Sequence, residues 1–349
     1  MKNLSAAITA IIVVAVLVSS VVLLDNGLLG NKNSGLITYT ADAYTIEAEY
    51  LLNSFHNATG AQVEPVTSGG SYADAEEIAN GHPASVFLSV ALNSYDRSYL
   101  GPRYSGWAIA FAADQIVLAY NSSIISGSSP ADGIAQSIVK EFQTANLTNS
   151  STEYRQAFAN LTSGVVKIGI SNPNEDPAGV RAYTSLEIAG SIFENDVSYY
   201  LQRMQENHSN VTASNAASLV APLDVGQIQF LYIYKSAAIL HDLKYIALPD
   251  FLNFGSENKS AFYGEYYYNI STGEVRGSPI YLFISTIANN TDASVADNFV
   301  TYVVKNSSNL SRFGLVPLSQ SLLFSNVTVP AWLDNLQNQG VIRNAGGLT

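Results

Sequence analysis

The chain has 349 residues, 47% of them hydrophobic, enough for two compact lobes with cores of their own. Only 13% are charged, the formal net charge is −12 and there are no basic stripes, which argues against nucleic acid as a partner. The absence of cysteine excludes disulfides, cysteine nucleophiles, thiolate metal sites and a lipid-modified N-terminal cysteine.

Lys2 precedes an uncharged, largely apolar run of twenty-one residues, Leu4 to Leu24. As a helix this run rises about 30 Å, enough to span a hydrocarbon core. No convincing Ala-x-Ala follows, so residues 1–24 read as an uncleaved membrane anchor with Asp25 onward outside. The start, Met1-Lys-Asn-Leu-Ser-Ala-Ala-Ile, also resembles archaeal type IV prepilin-like signals, cut near Ser5-Ala6 ahead of the apolar run. Both readings stay open. Residues 25–35, rich in Gly and Asn, form a linker.

The globular part alternates strand and helix signals. Leu36 to Thr40 is a strand, Ala43 to Phe55 a helix, Gln62 to Val66 a strand, Thr67 to Ser71 a turn, Tyr72 to Asn80 a helix and Ala84 to Val90 a strand. That order predicts an α/β lobe with a mainly parallel sheet. Ala108 to Tyr120 is one long apolar strand interrupted by Asp114-Gln115, the pattern of a strand passing from one lobe into another. Ile134 to Asn160 is helical. Val165 to Ile170 is a strand, followed by the polar turn Ser171 to Arg181, a helix over 182–190, and a helical continuation from Ser191 to Met204. Ser214 to Val225 is a further helix, Phe230 to Tyr234 and Lys244 to Leu248 are strands, Ser278 to Ser285 is a return strand and Ala293 to Lys305 a helix. The predicted division is lobe 1 at 36–112, lobe 2 at 113–280, and a return to lobe 1 with C-terminal helices at 281–340.

Catalytic patterns are missing. The four histidines, His56, His82, His208 and His241, form no metal spacing, and neither a nucleophile elbow nor a phosphate loop occurs. The expectation is a chain that is no enzyme and has no cofactor or metal. Asp74, Glu76 and Glu77 read as the solvated face of a helix. Thirteen Asn-x-Ser/Thr sequons beyond residue 36, at Asn57, Asn121, Asn146, Asn149, Asn160, Asn207, Asn210, Asn258, Asn269, Asn289, Asn306, Asn309 and Asn326, point to a glycosylated cell-surface protein. What recurs is a strand, a small or hydroxyl-bearing turn, then a helix start: at Ala41 to Thr45, Ser68 to Ser71, Asp176 to Gly179 and Ser214 to Ser218. Helix N-termini facing one cleft would surround an oxyanion with N–H and O–H donors. Gly179 is predicted to let the backbone approach a ligand closely.

Ile170-Ser-Asn-Pro-Asn-Glu-Asp-Pro-Ala-Gly-Val-Arg181 resembles the loop of archaeal-type molybdate/tungstate-binding proteins of ABC importers. Trp107 to Ala112 with Ile116 to Tyr120, Gly226 to Ala237, Leu243 to Pro249 and Gly277 to Tyr281 resemble other segments of that family in order, so the similarity spans about residues 36 to 338. The resemblance implies a two-lobed α/β fold of the periplasmic-binding-protein type II class, with an oxyanion (molybdate or tungstate) held between lobes and passed to an ABC permease at a membrane. Carried over residue by residue, it implies Ser71, Asp176, Ala178 and Tyr234 as ligand-binding positions. Ala43 stands where the family has a serine and Ala216 where it has a glutamate, and Val180 replaces a tyrosine. Tyr44 or Thr45 is the expected substitute hydroxyl, and Asp42 is expected to repel an anion unless protonated or turned away. The other reading is a surface structural or adhesive protein, pilin-like and self-assembling into filaments, that reuses the fold.

Overall fold

The computed structural model describes residues 35–271 and 273–348. The anchor and prepilin readings at 1–24, and nearly all of the linker, lie outside the described residues. Among the described residues no helix is long and apolar enough to cross a membrane.

The chain folds into two lobes, each on its own sheet. Lobe 1 opens with β1 (Thr38–Ala41), buried throughout. Helix α1 (Thr45–Thr59) follows and turns Ala48, Leu51, Leu52 and Phe55 onto the sheet. It ends at Gly60, whose φ of 75° closes the last turn. After β2 (Thr67–Gly69), helix α2 (Ser71–Ala79) and β3 (Val86–Ser89) comes β4 (Trp107–Asp114), then β5 (Ile116–Tyr120). The predicted break at Asp114-Gln115 is the point of passage: β4 lies in a seven-stranded sheet and β5 in a five-stranded one.

Lobe 2 adds α3 (Pro130–Thr148), α4 (Ser151–Leu161), β6 (Ile168–Gly169), α5 (Pro177–Glu194), α6 (Tyr199–Glu206), β7 (Asn210–Val211), β8 (Phe230–Tyr234), the short helix α7 (Lys235–Leu240) and β9 (Lys244–Ala247). The order in this sheet is β7-β6-β8-β5-β9. A hairpin of β10 (Tyr267–Ile270) and β11 (Gly273–Arg276) packs Tyr268 flat on Tyr183 of α5, with ring centroids 4.7 Å apart. The chain returns to lobe 1 in β12 (Ile280–Thr286), followed by α8 (Ala293–Asn306), β13 (Val316–Ser325), α9 (Ala331–Asn338) and β14 (Ile342–Gly346). Lobe 1 strands run β14-β13-β4-β12-β3-β1-β2.

Several sequence expectations are corrected. The lobe 1 sheet is mixed: β12 is antiparallel to both neighbours, because the returning strand enters beside the departing β4. The second strand is Thr67–Gly69, where a turn was expected. Residues 62–66 make only the bridge Leu36–Val63, since Pro65 has no N–H to continue the ladder. The β-run at 165–170 pairs over Ile168 and Gly169 alone. The helix expected through Met204 stops at Asn195, which adopts φ 57°, and Asp196 accepts hydrogen bonds from Ser198 N and Oγ to form a turn. The 214–225 helix is a 3₁₀ turn, Ala217–Leu219, and one short helix, Val220–Asp224.

Candidate functional site

Two loops of lobe 1 border the cleft. After β1 the chain makes a 3₁₀ turn, Asp42–Tyr44, before α1. Asp42 is exposed and folds back, its Oδ1 accepting from Ala43 N at 2.8 Å. Thr45 Oγ1 donates to Asp42 O and approaches Ser68 Oγ, both at 2.9 Å. Tyr44, the other expected hydroxyl, turns away from solvent and donates to Asp114 Oδ2 at 3.0 Å. Ser71 opens α2, and its Oγ accepts from Val90 N at 3.3 Å, which leaves its hydrogen free to donate.

Asp74 is not on a solvated face. It is 3% exposed, and its Oδ2 has no hydrogen-bond partner among the described residues. Ser71, Asp74, Ala75 and Ile78 form the buried stripe of α2, while Glu76 and Glu77 do lie in solvent. Burial, with Glu77 and Asp42 nearby, raises the Asp74 carboxyl to about 7.

Lobe 2 supplies the start of α5. Asp176 is its N-cap, with Oδ1 accepting from Ala178 N at 2.9 Å. Oδ2 of the same carboxylate accepts from Ala216 N, also at 2.9 Å. The predicted positions Asp176, Ala178 and Ala216 are thus joined, but the two N–H groups serve Asp176 itself. Gly179 also plays another part than expected. A Cβ there would stand 2.2 Å from Ser171 O, so the missing side chain admits the loop, not a ligand. Tyr234 ends β8; it is 5% exposed, and its hydroxyl oxygen faces the Arg181 guanidinium, whose charge and hydrogen bond oppose the rise that burial imposes on the phenol.

Arg181 and Ser171 are the residues that sequence reasoning passed over. The Arg181 guanidinium lies 6.0 Å from the Tyr234 ring centroid, Nη1 donates to Pro177 O at 3.3 Å, and the buried Nε has no partner among the described residues. Its charge also reaches Tyr72, the second residue of α2. Ser171, 1% exposed, has an unpartnered Oγ as well. The signal for Arg181 was a lone cation one helical turn into α5, in a chain with few cations.

The lobes meet electrostatically here. The Tyr44 and Tyr234 rings stack across the floor at 6.4 Å. Though Asp42 reaches solvent, the walls around its carboxyl partly desolvate it and raise it above its usual value; the Ala43 N–H opposes this and the Asp176 charge adds to it. The charges of Asp42 and Asp176 thus act on each other across the cleft, and that of Arg181 acts on Tyr72 and Tyr234. No group of three or more potential metal ligands occurs among the described residues.

A family model described as bacterial extracellular solute-binding protein matches residues 39–308. The chain belongs to this solute-binding family. It is 34% identical over 328 residues to an uncharacterized solute-binding protein of Sulfurisphaera tokodaii, covering 91% of this chain and 85% of the relative. It is 22% identical to the molybdate/tungstate-binding protein of Thermococcus kodakarensis, over 87% of this chain and 88% of the relative. The periplasmic molybdate-binding protein of Azotobacter vinelandii shares the fold with a TM-score of 0.52 and 16% identity, over 81% of this chain and all of that one.

In this solute-binding protein the floor of the cleft is tied to the passage between sheets. Asp114, fully buried, accepts from Gln115 N at 2.7 Å, Tyr44 Oη, Ser236 Oγ and Ser236 N. Glu47, on the first turn of α1, lines a small, partly open pocket with Thr40, Tyr44 and Ser89 behind the Asp42 turn. Burial holds its carboxyl at about 7. The folded protein thus keeps a proton on Glu47 that the unfolded chain has lost, between its ordinary value of 4.5 and about 7. Stability from this group falls as pH rises through that window, by about 3 kcal/mol in all. Glu47→Gln is expected to raise the melting temperature in mildly alkaline buffer and leave it unchanged below the window, as thermal melts on either side of it will show.

Proposed function

We propose that this solute-binding protein captures a small oxyanion between its lobes, outside the cytoplasm, and presents it to an ABC permease. The observation that carries this reading is the set of buried donors without an acceptor among the described residues, Arg181 Nε and Ser171 Oγ, with the Tyr234 hydroxyl beside Arg181 keeping its own hydrogen to donate. Buried donors without partners are costly, and a ligand's oxygens would satisfy them. Ser71 adds a hydroxyl from lobe 1, and Asp176 fixes the start of α5 that carries Arg181. Ala43, Thr45, Ala178 and Ala216 shape the wall rather than donate from side chains. The ordered resemblance to molybdate/tungstate-binding proteins, and the ligands for which the Thermococcus relative is named, support the same class of ligand. Tethering through residues 1–24, and glycans on exposed sequons such as Asn57, Asn258 and Asn309, fit a surface location.

Isothermal titration of the full chain with molybdate, tungstate, sulfate and hydrogen phosphate tests the reading. Heat and a rise in melting temperature with one of them are expected. Silence with all four, together with ordered filaments in electron micrographs, would instead establish the structural reading that the alanines at 43 and 216 favour.

A further inference from the structure

A bare oxyanion needs hydrogen-bond donors, and this cleft has given three of them to its own carboxylates. Ala43 N serves Asp42, while Ala178 N and Ala216 N serve Asp176. The donors that remain are Arg181 Nε, Ser171 Oγ and the hydroxyl hydrogens of Tyr234 and Ser71. Acceptors also remain. Asp42, exposed at the cleft and bound to Ala43 N through Oδ1, has capacity on its second oxygen. Asp74 has an Oδ2 without a partner among the described residues, and with its carboxyl raised to about 7 it either accepts or donates at neutral pH.

A fully deprotonated oxyanion such as molybdate, tungstate or sulfate brings acceptors alone. It would set its oxygens against Asp42 with no hydrogen between them, in a cleft where Asp42 already feels the charge of Asp176. A ligand that is charged on one side and retains an O–H on another matches both halves of the leftover set. Resting on the oxyanion reading above, we infer that the ligand is an oxyanion carrying an O–H, of the hydrogen phosphate, hydrogen arsenate or phosphonate type. Asp42 accepts its hydrogen, while Arg181, Tyr234 and Ser71 hold its charged oxygens. The charge of Asp42 is opposed by desolvation and by Asp176 on α5 and favoured by the Ala43 N–H, and Asp42 in turn acts on Asp74 on α2. A hydrogen-bonding site built for a ligand hydroxyl rejects an analogue lacking it far more strongly than shape alone can, because its own acceptor is left facing the wrong group.

The test is competitive calorimetry on the full chain at neutral pH, with inorganic phosphate and arsenate against molybdate and sulfate. Phosphate or arsenate is expected to bind at least about a hundredfold more tightly than sulfate or molybdate. Asp42→Asn keeps an oxygen for Ala43 N and replaces the acceptor with an N–H donor. It is expected to move the preference toward sulfate and molybdate by at least about tenfold. A wild-type chain that prefers molybdate or sulfate overturns this inference and leaves the oxyanion reading standing. An Asp42→Asn chain with an unchanged ratio overturns it in the same way. A chain that binds neither class overturns both.

Discussion

Replacing Arg181 with methionine is expected to weaken anion binding by roughly ten- to a hundredfold, the worth of hydrogen bonds to a charged group. Arg181 is the cation of the cleft, and its buried Nε has no partner among the described residues. Its other contacts are few: one 3.3 Å bond from Nη1 to Pro177 O, and the ring and hydroxyl of Tyr234. Folding should therefore tolerate its loss, so the melting temperature of the ligand-free protein should scarcely move. Lysine at this position keeps the charge and loses the planar fork, and should bind between the two. Titration with the preferred anion, beside thermal melts, checks both halves. Unchanged affinity in Arg181→Met would remove Arg181 from the site.

Asp114→Ala should produce the largest loss of stability. Four donors converge on that carboxylate: Gln115 N, Tyr44 Oη, Ser236 Oγ and Ser236 N. Alanine leaves them buried without an acceptor. The expected cost is about 3–5 kcal/mol, a fall in melting temperature of roughly 5–8 °C. Asparagine preserves one oxygen but sets an N–H against two of the donors, so it should restore part of the loss. Burial raises the Asp114 carboxyl while these hydrogen bonds oppose the rise. Denaturant unfolding of the two variants measures the difference; an alanine variant as stable as wild type would show that the donors find other partners.

The passage between lobes was legible because Asp114-Gln115 interrupts an otherwise apolar run, and polar residues in such a run need a reason. The turns at 41–45, 68–71 and 176–179 were legible as helix starts, and helices do begin at or near them. What they do was not. Asp176 reaches Ala216, forty positions along the chain, and spacing does not report a bond of that separation. The burial of Asp74 was written in the sequence, since Ser71, Asp74, Ala75 and Ile78 follow helical periodicity; the charge of Asp74 masked it. The second strand was displaced because Pro65 cannot donate, a fact of the residue itself that alternation in hydrophobicity does not weigh.

The two crossings between sheets lie side by side. Ile280, where the chain re-enters lobe 1, pairs with Asp114, where it leaves. A pair of adjacent connectors leaves one soft rotation and resists twist and shear. Opening is then described by a single angle, and a transporter docking on both lobes would read that angle alone, whatever the chemistry of the cargo that set it.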